Sequence, residues 1–123
     1  MKQFLLVFLG GGLGSMLRYA IGSWMAHSKA GVPLGTMTVN VIGSLLIGLV
    51  LGWALKYPAT SPTLVLLLAT GFCGGFTTFS AFAFENYELL KNGNYLYFGM
   101  YTGLSLALGI LAVLIGIWLT RLF

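Results

Sequence analysis

Residues 70 to 86, TGFCGGFTTFSAFAFEN, gather the side chains of this sequence best suited to handling an ion. Thr77, Thr78 and Ser80 bring hydroxyls that bond to backbone groups, while Gly71, Gly74 and Gly75 have low helix propensity. Glu85 is an acid inside an otherwise apolar run and needs a partner or a hydrated cavity; Glu88, three residues on, reads as interfacial. Phe79 and Phe82 are three residues apart, so on a helix they point to roughly the same side. An aromatic ring has a positive edge. Two such edges beside a narrow path would stabilise a small anion without a full charge, whereas in an ordinary core the pair would only fill volume. The glycines predict an interrupted helix near residues 74–78.

Catalytic constellations are absent by comparison. The single cysteine, Cys73, cannot form an intrachain disulfide, and the single histidine, His27, falls in a loop away from any ligand cluster. GGGLGS, residues 10–15, does not complete G-x-G-x-x-G and does not lie between a strand and a helix, which argues against dinucleotide binding. With no cluster of titratable residues, the chain reads as a non-enzyme, and no nucleic-acid partner is implied.

Other polar residues recur at helical spacing. Gly10, Gly14, Arg18 and Gly22 form one stripe, Thr36, Asn40, Ser44, Gly48 and Gly52 a second, and Tyr101, Ser105 and Gly109 a third. Small residues let helices approach closely inside a membrane, and amides and hydroxyls bond across the contact. Close packing accounts for the glycines. Asn40 is different, because its amide lies well inside an apolar block and must find a partner. Arg18 is costly at depth, by about 2.5 to 3.5 kcal/mol at a bilayer centre. It reads either as an interfacial anchor or as a positive charge facing a pathway.

The elements that must position these groups are membrane helices. The chain has 123 residues, 59% hydrophobic and 7% charged, with mean hydropathy +0.97. Four apolar blocks, at about 4–26, 33–55, 62–90 and 95–120, each exceed the roughly 20 residues that span a bilayer. HSKAGVP, KYPATSP and KNGN separate them, and connections this short force successive helices to run antiparallel. The expected fold is therefore an all-α membrane protein, one domain over residues 1–123 with four transmembrane helices, the third interrupted. MKQFLLVFL is not read as a signal peptide, since no small-residue cleavage site follows.

Four crossings put Lys2, Lys56 and Arg121 on one face and Lys29 and Lys91, with Arg18 deeper, on the other. Orientation normally follows an excess of Lys and Arg on the cytoplasmic side. Here there is almost none. The balance fits a chain that inserts both ways and pairs as an antiparallel homodimer; a single topology fixed by other factors is the alternative.

GGGLGSMLRY, PLGTMTVNVIGSLLIG, TGFCGGFTTFSAFAFEN and the NGNY turn together resemble the Fluc (CrcB-type) fluoride channels over essentially the whole chain. That resemblance implies a passive fluoride exporter of the bacterial plasma (inner) membrane, built as an antiparallel dual-topology homodimer with two pores and a sodium ion at its centre. It implies sodium on the backbone carbonyls of Gly74 and Thr77, and fluoride beside the ring edges of Phe79 and Phe82, with Asn40 donating nearby. Tyr101 and Ser105 would continue the path, Thr78 and Ser80 would support it, and Arg18 would act electrostatically or structurally. Position 81 departs from the pattern, being Ala where some relatives have a hydroxyl, which thins the expected polar track. A small multidrug-type antiporter is the nearest alternative, but it needs an acid in its first helix, where this chain has Arg18.

Overall fold

Apolar runs bounded by Gly, Pro and Asn give helices that stop where the apolar pattern stops. The computed structural model describes residues 1–26 and 31–123; His27 and Lys29, both read as loop residues, lie outside the described residues. Helix α1 is Lys2–Met25 and α2 is Leu34–Lys56. The third block is divided into α3, Pro62–Val65, a π-helical stretch, Leu66–Cys73, then α4, Gly74–Phe76, and α5, Phe79–Lys91. Helix α6, Tyr95–Leu122, completes the chain. Among the described residues every regular element is helical.

Four runs of 24, 23, 30 and 28 residues are long and apolar enough to cross a membrane. The chain is a multi-pass membrane protein. Each run begins and ends within two residues of its expected apolar block. Pro62 sits in the first turn of α3, where its missing N–H has no helical partner to lose. At the other end of that span Gly93 adopts φ 73°, and the N–H groups of Gly93 and Asn94 close back on the carbonyls of Leu90 and Leu89 at 3.0 and 2.9 Å. That pair of bonds is a Schellman stop, and it turns the chain straight into α6.

Packing is close because glycines sit at the crossings. Helix α2 lies along α6, and a Cβ on Gly48 or Gly116 would fall 2.5 Å from a facing carbonyl oxygen, of Val113 or Leu45 respectively. Helix α1 lies against the π-helical stretch and α4. There a Cβ on Gly14 would collide with the Phe72 carbonyl and one on Gly75 with that of Gly11. Gly22, from the same α1 stripe, would meet nothing within 4 Å. The most deeply buried side chains are Val39, Phe76 and Tyr101, and broad apolar surface faces outward along all four spans.

Between α4 and α5 only Thr77 and Thr78 take extended backbone, with ψ 158° at Thr77 and φ −149° at Thr78. Gly74 and Gly75 remain inside a helical turn. Thr78 then caps α5, its hydroxyl oxygen accepting the Ala81 N–H at 3.3 Å.

Candidate functional site

The two extended residues leave backbone groups that no helix satisfies, and Asn40 answers them from α2. Its Oδ1 accepts the Thr78 N–H at 2.8 Å, and its Nδ2 donates to the Thr78 carbonyl at 3.1 Å. One amide side chain thus pairs with both polar groups of one residue, as a neighbouring strand would. An amide nitrogen carries two protons, so Nδ2 keeps a second donor beyond this pair.

Two neighbouring carbonyls have partners. That of Cys73 accepts both the N–H and the hydroxyl of Thr77, at 3.0 and 2.9 Å, and that of Gly75 accepts the Ser15 hydroxyl at 3.2 Å. Gly74 and Thr77 differ. In a continuous helix their oxygens would receive the N–H groups of Thr78 and Ala81, but these are taken by Asn40 Oδ1 and Thr78 Oγ1. Both carbonyls are therefore released from helical bonding. Gly74 is also exposed, with the nearest atom to a Cβ there 4.0 Å away. Among the described residues no group of three His, Cys, Asp or Glu side chains is placed to hold a metal, so any cation here would rest on oxygens of this kind.

A cavity of about 330 Å³ opens beside the break and is lined by Asn40, Gly74, Thr77, Thr78, Phe79, Phe82 and Ser105, with Cys73 in its wall. Phe79 is 78% exposed, so its ring stands at the open side. Its centroid is 5.9 Å from that of Phe82, and Phe82 in turn is 5.3 Å from the Tyr101 ring, both pairs tilted. Ser105, one turn along α6 from Tyr101, has its hydroxyl buried with no partner among the described residues. Ser80 sits just outside, its hydroxyl 3.2 Å from that of Thr78.

Glu85 lies one turn beyond the rings. Its carboxylate accepts the hydroxyls of Thr36 and Tyr101, each at 2.6 Å, joining α2, α5 and α6 at one point. Tyr101 therefore commits its proton to Glu85 and presents its ring to Phe82. Glu85 also borders two further cavities, shared with Val32 and Pro33, that open toward one end of the bundle. Arg18 lies apart from the main cavity. Its Nη2 reaches the Ser15 hydroxyl at 3.4 Å, and that hydroxyl bonds to Gly75, while the arginine Nε is buried without a partner among the described residues.

Residues 5–117 match the family model described as CrcB-like protein, Camphor Resistance (CrcB). The chain belongs to this CrcB-like family. Among its relatives are proteins named fluoride-specific ion channel FluC. One from Gloeothece citriformis is 52% identical, with 98% of each chain covered. Another from Hyphomonas neptunium is 48% identical over 98% of this chain and 97% of its own. A third, from Leptospira interrogans, is 42% identical over 99% and 97%.

Within this CrcB-like chain, the residues expected to form the site fall into three groups. Asn40, Gly74, Thr77, Thr78, Phe79, Phe82 and Ser105 share the cavity; Tyr101 and Ser80 touch its members; Glu85 and Arg18 stand at separate stations. Sequence reading did not single out Ser15 or assign Thr36 to the site. Their spacing held the signal, Ser15 one turn before Arg18 and Thr36 one turn before Asn40.

Proposed function

We propose that the chain is a fluoride-selective channel through which fluoride leaves the cytoplasm passively across the bacterial inner membrane. The supporting observation is that one cavity, in a chain matching relatives named as fluoride channels end to end, gathers weak donors and two aromatic residues without a formal charge. Asn40 supplies its spare N–H, Ser105 and Thr78 their hydroxyls, and Phe79 and Phe82 their positive edges. Donors of this kind replace part of a small anion's water, and weak sites in sequence still let it leave. Ser80 extends the hydroxyl track, while Arg18 sets a positive potential from beyond the break.

Hydrogen fluoride, a weak acid, crosses membranes as the neutral molecule and ionises in a less acidic cytoplasm, where the anion is trapped. An inside-negative potential drives the anion outward with about 2.3 kcal/mol per charge per 100 mV. No ATP or proton coupling is required.

The functional unit in this reading is an antiparallel, dual-topology homodimer of two single-domain chains, with two pores. Its support is the exposed Phe79 ring and the open space beyond Gly74, both of which a second copy would cover, together with the near balance of Lys and Arg on the two faces. The interrupted third span supplies the central cation site. The released carbonyls of Gly74 and Thr77 suit a hard cation, so a sodium ion at the dimer centre would be held by them and would supply a fixed structural charge there.

Efflux from proteoliposomes tests the function. Vesicles loaded with fluoride should empty when the purified protein is present, and vesicles loaded with chloride should not. Equal fluxes of the two anions would overturn the reading.

A further inference from the structure

Two side-chain bonds join α5 to α6, one residue apart on each helix. The first is the bond from Tyr101 to Glu85, at the pathway. In the second, the Thr102 hydroxyl donates to Asn86 Oδ1 at 2.8 Å. Asn86 is only 8% exposed, and its Nδ2 donates to the carbonyl of Phe82, one turn back, at 2.9 Å. A two-bond chain thus runs from α6 through Asn86 to the backbone of the residue whose ring faces the cavity.

The need for such a chain follows from the break. A continuous span would fix the rotation of its second half through its own backbone ladder, but Thr77 and Thr78 interrupt that ladder before α5. Side chains must then set how α5 is turned. Against α6, the one bond at Glu85 fixes a distance. A second at the next residue, about 100° around the helix, fixes the rotation as well.

We infer that Asn86 and Thr102 form a positioning pair that holds the Phe82 ring in register with Tyr101, and through that ring sets the rate of conduction. The inference rests on the fluoride-channel reading. Neither side chain lines the cavity that holds the two phenylalanines, so the pair acts through Phe82 and not on the ion.

Thr102→Val removes the donor and keeps the shape, and Thr102→Ser keeps the donor. In proteoliposomes, Thr102→Val should slow fluoride efflux per reconstituted channel about tenfold, and Thr102→Ser should stay within about twofold of the wild-type protein. A fluorine-labelled phenylalanine at position 82 should shift its NMR signal in the valine variant and not in the serine variant. Valine variant that conducts at the wild-type rate with an unmoved signal overturns the pair, as does a serine variant that falls as far. Should Thr102→Val not elute as folded protein, Asn86→Gln, which displaces the amide by one methylene, is judged by the same two readouts. Wild-type vesicles that pass no fluoride would count against the functional reading instead, and the NMR signal would still decide whether the pair positions Phe82.

Discussion

The two halves of the third span are built on opposite plans. Before the break, the π-helical stretch and α4 meet α1 backbone to backbone, through Gly10, Gly14 and Gly75, where no side chain fits. After it, α5 meets α2 and α6 through polar and aromatic side chains: Glu85 to Thr36 and Tyr101, Asn86 to Thr102, and Phe82 to Tyr101. The first half gains from closeness, since small residues let dispersion act over a long contact. The second half gains from directed bonds, which specify where each ring and hydroxyl lies. One half is a frame and the other an instrument. Substitutions in the first should act on folding, and substitutions in the second on transport.

Gly75→Ala should have the largest effect, because its new methyl would strike the Gly11 backbone. Overpacking of this kind costs about 3 kcal/mol, so little folded protein should survive gel filtration. Normal folding with normal flux would break the contrast between the halves. Asn40→Asp replaces the amide donor facing the Thr78 carbonyl with a carboxylate oxygen. Losing that bond at a half-buried carbonyl should reduce fluoride efflux about a hundredfold while the protein still elutes as folded. Tyr101→Phe deletes one of the two hydroxyls on Glu85 and keeps the ring against Phe82. A loss of about tenfold in efflux is expected, with thermal stability changed by about 1 kcal/mol. The smallest effect belongs to Gly12→Ala, whose methyl would meet nothing within 4 Å. It lies in the same α1 glycine run, yet stability should stay level or rise by about 0.5 kcal/mol, measured by thermal unfolding in detergent. A large loss there would show that α1 glycines matter for more than clearance.

The four spans were legible because hydropathy and breakers are local properties, readable at Pro62 and Gly93 without knowing any neighbour. The lining of the cavity was legible in part for the same reason: the types and spacing of Asn40, Phe79 and Phe82 announce an amide and two rings among apolar residues. The π-helical stretch was not. LLLATGFC contains nothing that separates five-residue from four-residue bonding, and the wider turn goes with a backbone surface pressed against α1. Partners were equally hidden. Ser15, Thr36, Asn86 and Thr102 are ordinary hydroxyls and an amide until the helices come together, because which carbonyl or carboxylate each meets depends on rotation and register between spans. The position of the extended backbone shows the same limit. Glycines stand at 74 and 75, but extension falls on the threonines after them: Asn40 pairs with both backbone groups of Thr78, and the Cys73 carbonyl accepts the N–H and hydroxyl of Thr77.

A short extended link between two helices is normally a hinge. In this chain the Asn40 amide grips Thr78 at both its N–H and its carbonyl, so α5 cannot swing without pulling on α2. Helix α2 is in turn clamped along α6 by glycine contacts at Gly48 and Gly116. The joint that would serve a moving gate is splinted from the side. In the channel proposed above, this joint would hold still while ions pass, leaving the fit of the ion and the voltage across the membrane to govern the flow.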